Sequence, residues 1–219
     1  DGEAVIVGYD GADSAVTIPL SILGAQVTEI APNAFFRDSV IQSVSFSEAV
    51  HLQTIGSNAF FGCEGLSAVT LPALDTLDFG AFQSCQQLQS LTVENGLTAV
   101  PGQAFYDCTA LEAVTLPASV TSIGDYAFGK CVSLRELTLP SGVTQISPSA
   151  FWGCNALTLH CYRGSYAAAY AQQYGIPFRY IDAVLLGDPT DDHYVNVHDV
   201  TAIQRYLAEL KVLQGALLF

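Results

Sequence analysis

Apolar residues recur along the chain in a unit of about 23 residues, much longer than the period of a helix or strand. Each unit carries an Ala-Phe dipeptide, and successive Phe residues are 25, 22, 23, 23 and 23 positions apart. These residues are Phe35, Phe60, Phe82, Phe105, Phe128 and Phe151. A Cys follows five of them after three residues, and a Leu follows after three more. Four of these Leu open runs such as LSAVTLP or LEAVTLP, which predict short β-strands.

A single unit of this kind cannot bury its own apolar side, whereas stacked units bury one another. The pattern therefore predicts a solenoid with a parallel sheet along one face. The unit LxxVTLPxxVTxIGxxAFxxC resembles the BspA-like subclass of leucine-rich repeats found on bacterial surface proteins. The resemblance covers about Val16 to Tyr180. It implies a right-handed leucine-rich-repeat solenoid, α/β by class, with mostly parallel strands joined by short turns and helices.

The resemblance also implies a cap at each end of the repeats. The segment from Ala4 to Phe36 is similar to the family's N-terminal cap with its first repeat, and the segment from Cys161 to Ile181 to its C-terminal cap. In that family the C-terminal cap is a helix over the last coil, followed by a closing strand. We therefore expect a repeat domain over residues 1–181 and a different segment over residues 182–219.

Six cysteines in an acidic chain first suggest a secreted, disulfide-bonded protein. Five of them occupy the same position in successive units, so they should stack about 4.8 Å apart with parallel Cα–Cβ bonds. That geometry suits a disulfide poorly, whereas a small buried thiol packs well beside Phe. We expect a free, inward-facing ladder of Cys63, Cys85, Cys108, Cys131 and Cys154, with Cys161 also inward in a terminal strand.

Alternate strand residues should form columns on the outer face of the sheet. One column contains Ser45, Thr70, Thr92, Thr115, Thr138 and, by a gapped alignment, His160. A neighbouring column contains Ser43, Ala68, Ser90, Ala113 and Glu136. This small and nearly uncharged surface is a candidate docking face for a protein or an extended polymer. The alternative is a solvated face that uses Thr for its strand propensity.

A second candidate surface follows the repeated Phe, where four of six residues are aromatic. These are Phe36, Phe61, Tyr106 and Trp152, with Gln83 and Gly129 in the other two units. Exposed aromatic rings at regular spacing could stack on sugars or form a patch for a protein partner. The alternative is that each ring only covers the end of its own coil.

The period stops after Ile181, and an acidic segment follows. Oxygen donors occur there at positions one, three, five, seven, nine and twelve of a loop, as in the calcium loop of an EF-hand. They belong to Asp188, Thr190, Asp192, the backbone carbonyl of Tyr194, Asn196 and Asp199. The residues after this loop show apolar positions at helical spacing. The spacing predicts a Ca²⁺ site followed by a helix.

The stretch from Gly187 to about Leu210 resembles one repeat of a type I dockerin, a module that plugs into the cohesin of a cellulosome scaffold. The resemblance implies a half dockerin over residues 182–219 and a cohesin-facing set of Val197, His198, Gln204 and Arg205. His193 replaces the usual glycine, Thr190 is a weaker donor, and only one of two repeats is present. We therefore expect Ca²⁺ binding to be weak, with a capping segment that holds no ion as the alternative.

Composition narrows the possible functions. The 219 residues include 21 acidic and 7 basic side chains, for a net charge of −14, which argues against binding nucleic acid or anionic lipid. No apolar run approaches the roughly 20 residues of a membrane span. The four His residues lack zinc-site spacing, and no nucleophile or phosphate-binding motif occurs, so we do not expect an enzyme.

These observations predict a monomeric, secreted binding protein, located outside the cell or on a bacterial surface. Its repeat would recognise a protein or polysaccharide, and its dockerin segment would attach it to a cellulosome scaffold through cohesin. The alternative is a cell-surface adhesin whose dockerin remnant no longer docks.

Overall fold

Short parallel strands stack along one side of a solenoid in this computed structural model, which describes residues 2–182. Five strands form the first sheet in spatial order: β2 (Ala15–Thr17), β5 (Ser43–Ser45), β7 (Ala68–Leu71), β9 (Ser90–Val93) and β11 (Ala113–Thr115). The same side continues with β13 (Glu136–Thr138), β15 (Thr158–Cys161) and β16 (Phe178–Tyr180). The predicted parallel solenoid is confirmed.

A second side of each coil contributes a shorter strand. One sheet contains β1 (Glu3–Ile6), β4 (Ala25–Ile30), β6 (Thr54–Ile55) and β8 (Thr76–Leu77) in parallel, with β3 (Ser21–Ile22) antiparallel to β4. A second sheet contains β10 (Ala99–Val100), β12 (Ser122–Ile123) and β14 (Gln145–Ile146). Each coil therefore hydrogen-bonds to its neighbours on two sides.

The repeated Phe residues form one continuous stack through the core, here called the Phe stack. Adjacent rings from Phe35 to Phe151 lie nearly parallel, with centroids 4.7 to 5.8 Å apart. The cysteines are free and buried beside them, as predicted. The thiol of Cys85 donates to the carbonyl of Phe60 at 3.1 Å, and the other four repeat thiols make the same bond one coil apart. Each thiol thus satisfies a buried acceptor in the preceding coil.

The strands begin two residues later than the sequence suggests. In each unit the Leu after the Cys lies in a turn, because its amide donates to the Cys carbonyl, as in Leu66 to Cys63 at 3.1 Å. The Leu side chain is still buried, and in the four units predicted to open a strand at Leu, pairing starts at the second residue after it, as at Ala68.

Left-handed backbone recurs at two positions in most coils. One precedes Ala-Phe and the other precedes Cys, and amides there donate to the next coil, as in Lys130 to Trp152 at 2.7 Å. The first column contains Asn33, Asn58, Gly80, Gln103 and Tyr126, all with φ between 54° and 64°. Asn and Gly tolerate this conformation at low cost, whereas bulky side chains do so rarely.

A short helix closes the C-terminal end, as the cap resemblance implied. Helix α1 (Tyr166–Tyr174) begins after Ser165, whose side chain accepts from the amide of Ala168, and ends at Gly175 with φ 66°. Three of its four alanines are buried against the last coil, where the Tyr170 hydroxyl donates to the carbonyl of Ser147 at 3.0 Å. Within residues 2–182 no helix has the length and apolarity to cross a membrane. The predicted calcium loop and its helix, in residues 182–219, lie outside the described residues apart from Asp182.

Candidate ligand-binding surfaces

The outer side of the long sheet carries the predicted column, here called the threonine face. Strand register pairs Thr70 with Thr92, Thr92 with Thr115, and Thr138 with His160, so the gapped alignment of His160 matches the observed register. The structure adds Thr17 beside Ser45 and Arg179 beside His160. Thr70, Thr92, Thr115 and Thr138 are exposed, whereas Ser45 and His160 are half-buried.

Shallow clefts lie at both ends of the threonine face. One of about 350 Å³ is lined by Ser45 and Thr70, together with Phe46, Pro72 and Glu94. Another of about 150 Å³ is lined by Thr138, Tyr162 and neighbouring residues. Between these clefts Thr92 and Thr115 are exposed on the paired strands β9 and β11, an arrangement that suits an extended ligand better than a small molecule.

The predicted aromatic column separates into two groups. Phe36 and Phe61 stack on each other with centroids 4.9 Å apart, and the Arg37 guanidinium lies 6.0 Å from the Phe36 centroid. The next unit has Gln83 at this position, so the row of stacked rings ends at Phe61. Tyr106 and Trp152 belong to a separate group further along the solenoid.

The second group is completed by Tyr126, which sequence reasoning missed. The Tyr126 ring stands at 89° to Tyr106 and at 82° to Trp152, with centroids 6.0 Å apart in both pairs. Together with Gln103 these three rings line a cleft of about 270 Å³, here called the aromatic cleft. Trp152 is 55% exposed and Tyr126 is 37% exposed, so both offer accessible ring surface.

Gly129 makes the aromatic cleft possible. A Cβ at this position would lie 2.8 Å from Cδ2 of Tyr106 and 3.3 Å from Cβ of Tyr126. The missing side chain therefore leaves the room that the Tyr106 ring occupies. The glycine in the aromatic column contributes to the surface instead of interrupting it.

Lys130 places a cation beside two of the rings. Its Nζ lies 5.3 Å from the Tyr106 centroid and 5.9 Å from the Trp152 centroid, within the range of cation–π attraction. The nearby Tyr106 hydroxyl raises the pKa of the Lys130 ammonium, which therefore stays charged at neutral pH. Lys130 therefore adds a positive charge between the rings of Tyr106 and Trp152.

The described residues offer no assembled metal centre. Among residues 2–182 no group of three His, Cys, Asp or Glu side chains is placed to hold a metal ion. The predicted Ca²⁺ ligands and the cohesin-facing residues lie in residues 188–205, outside the described part of the chain.

Comparison with known proteins decides the family. A model of the BspA type leucine rich repeat region matches residues 28–158 in six copies. The chain belongs to the BspA-type leucine-rich-repeat family. This is a family of structural repeats without an indicated catalytic activity. No curated protein matches this BspA-type chain.

Solved leucine-rich-repeat structures resemble this BspA-type chain over about 70% of its length. A leucine rich cell surface protein from Faecalibacterium prausnitzii is 26% identical, with a TM-score of 0.54, and the match covers 72% of this chain and 50% of that one. A leucine-rich repeat protein from Eubacterium ventriosum is 22% identical, with a TM-score of 0.54 and coverages of 68% and 45%. A T. pallidum leucine-rich repeat protein is 28% identical, with a TM-score of 0.49 and coverages of 72% and 63%. The matched region thus spans less than two thirds of each relative.

Proposed function

We propose that this chain is a non-catalytic recognition module of a secreted or surface-displayed bacterial protein, binding a protein or polysaccharide on its repeat. The threonine face carries the proposal, because it presents one exposed, nearly uncharged column across successive strands. Likeness to the cell surface protein of Faecalibacterium prausnitzii supports the location.

The chemistry of the threonine face suits an extended ligand. Hydroxyls on neighbouring strands repeat at about 4.8 Å, so they offer donors and acceptors in a fixed row. Threonine is stiff at χ1, and the strand holds its backbone, so a ligand orders few side chains on binding. Solenoids of stacked repeats commonly use such continuous surfaces for recognition.

The test is binding of the full chain to a panel of extracellular-matrix proteins and neutral polysaccharides. Replacing Thr92 and Thr115 together by Glu should weaken binding of a ligand held on this face by at least about tenfold, near 1.4 kcal/mol. The matched control replaces Thr98 and Gln145 by Glu, which adds the same charge at exposed positions outside the column. Equal binding by both double variants would remove the threonine face as the site.

We further propose that residues 182–219 attach the module to a scaffold as a half dockerin that binds Ca²⁺. The spacing of Asp188, Asp192 and Asp199 supports this proposal, together with its resemblance to dockerin sequences. Cohesin capture with and without chelator tests it. Capture that disappears with chelator supports docking, whereas no capture in Ca²⁺ favours the alternative, an adhesin with a remnant that does not dock.

A further inference from the structure

We propose that the aromatic cleft binds one neutral hexopyranose unit of a polysaccharide. The proposal rests on the recognition function above and names a second site and its ligand class. Gln103, Tyr106, Tyr126 and Trp152 line this cleft, on the side of the solenoid that carries the left-handed turns. Four observations support it: residue choice in a left-handed column, ring geometry, cleft size and charge.

The left-handed column before Ala-Phe changes its residue type at the aromatic cleft, although Leu23, Arg37 and Ser84 hold left-handed backbone elsewhere in the chain. In the left-handed column before Ala-Phe, three earlier coils use Asn33, Asn58 and Gly80, which fit that conformation. The next two coils place Gln103 at φ 56° and Tyr126 at φ 54°, and both side chains line the cleft. A bulky residue keeps such a conformation only where its surroundings hold it, and such strain gathers at ligand sites. Packing does not require Tyr126, because the other coils close without an aromatic residue there.

Ring geometry suits a sugar. A hexopyranose has C–H groups on its faces and hydroxyls around its rim, so it needs aromatic surfaces edged by polar groups. Tyr126 and Trp152 present such surfaces at 82° to each other. One aromatic ring can therefore stack on a face of the sugar while the other contacts its side. The Gln103 amide, the two Tyr hydroxyls and the Lys130 ammonium surround them with hydrogen-bonding groups.

The size of the cleft limits the ligand to a small unit. Its volume of about 270 Å³ lies just below the usual range of ligand pockets, roughly 300–1,000 Å³. The cleft is open, so further units of a polymer can continue outside it. A peptide strand would need a longer groove or an unpaired sheet edge for its backbone groups.

Charge favours a neutral polymer over an acidic one. The chain carries a net charge of −14, and Asp107 and Asp125 directly follow and precede Tyr106 and Tyr126 in sequence. A repeated acidic sugar would be repelled by this field. The cation beside the cleft, Lys130, lies near the Tyr106 and Trp152 rings, where cation–π attraction engages its charge.

Trp152 provides a direct probe, because it is the single tryptophan of the chain. Tryptophan emission of the full chain is titrated with soluble β-glucan, mannan, dextran and galactan, and in parallel with polygalacturonate and a proline-rich peptide. A sugar stacked on Trp152 should shift or quench the emission to saturation with at least one neutral polymer. No saturable change with any of the four contradicts the proposal, as does a change only with polygalacturonate or the peptide.

Two variants test whether the change in Trp152 emission arises from binding in the aromatic cleft. Tyr126→Asn introduces the residue that Asn33 and Asn58 provide in equivalent positions, so the coil should fold, and affinity should fall at least tenfold. Phe36→Ala removes an exposed ring outside the cleft and should leave affinity within about twofold, too small a change to mark a contact. Unchanged affinity in Tyr126→Asn, or equal loss in both variants, overturns the assignment.

Failure of this site can be told apart from failure of the recognition function. The full chain could retain a polysaccharide in a pull-down without any change in Trp152 emission. That result would contradict sugar binding in the aromatic cleft and would still support the recognition function. A chain that binds nothing in this panel or in the protein panel contradicts both.

Discussion

The Tyr106 ring occupies the space next to Gly129 where a side chain would otherwise lie, with only 2.8 Å between Cδ2 and the position of a Cβ. The relation joins two consecutive coils at the same place in the repeat. Gly129 has no ring of its own, but the space beside it is what allows the aromatic cleft to form.

Gly129→Ala should therefore displace the Tyr106 ring and weaken sugar binding by roughly tenfold, or 1.4 kcal/mol. Overpacking at this buried position should cost about 1 kcal/mol of folding stability. Binding is measured by Trp152 emission and stability by urea unfolding. Gly142→Ala is the matched control, because a Cβ there meets nothing closer than 3.6 Å. Equal behaviour of the two variants would contradict the role of Gly129.

The Phe stack should dominate the stability of the solenoid. Phe105 is fully buried between Phe82 and Phe128, at 5.7 and 5.5 Å, so Phe105→Ala should lower the free energy of unfolding by about 3–5 kcal/mol. Phe79→Ala removes a ring that is 48% exposed and should cost less than about 1 kcal/mol. Urea unfolding of both variants measures the difference. A loss below about 2 kcal/mol for Phe105→Ala would contradict this view of the core.

Stability should fall in alkaline solution because of the buried thiols. Burial raises the pKa of Cys63 and of Cys108 from 9.0 to about 12, so the folded chain keeps these protons where the unfolded chain loses them. Between those values each such thiol should lower the free energy of unfolding by about 1.4 kcal/mol per pH unit. Below pH 9.0, the unfolded value, this contribution is fully present.

Urea unfolding of the wild type and Cys108→Ala at pH about 8 and about 10 isolates one thiol. The variant should show a smaller decline with pH, because the Tyr and Lys contributions are common to both chains. Identical declines would mean that Cys108 ionises normally in the folded state. In denaturant, thiol titration should find all six cysteines reactive.

The calcium prediction concerns residues beyond the described part of the chain. Calorimetry of the full chain should show weak heat on Ca²⁺ addition, since Thr190 and His193 depart from the usual loop. Asp188→Ala should abolish it. Replacing Asp10, an exposed carboxylate in the N-terminal segment, is the control and should leave the heat unchanged. Equal heat in the wild type and Asp188→Ala would remove the site.

The repeat made most of the fold predictable. Inward residues such as Phe82 and Cys85 recur at a nearly fixed interval. Once the orientation of these residues is assigned in one coil, the same orientation applies to the equivalent residues of the other coils. The Thr column followed from the alternation of side chains along a strand. The late start of the strands was missed because the turn at Leu66 depends on a backbone bond that leaves no mark on the apolar pattern.

The aromatic cleft was only half predicted. Tyr106 and Trp152 were found because they share one repeat position. Tyr126 and Lys130 occupy different positions, and left-handed turns bring them beside those rings, where strand alternation gives no guidance. A signal was present nonetheless: a column of Asn and Gly marks left-handed backbone, and a Tyr within it is exceptional.

The most direct test measures folding stability and sugar affinity together in Tyr126→Asn. Relief of the left-handed strain should stabilise the fold by up to about 1–2 kcal/mol, with loss of the ring contacts reducing the gain. Affinity for the neutral polysaccharide should fall at least tenfold in the same variant, which would show that Tyr126 is kept for binding at a cost to folding. A variant that is less stable than the wild type and binds the polysaccharide equally well would contradict this account.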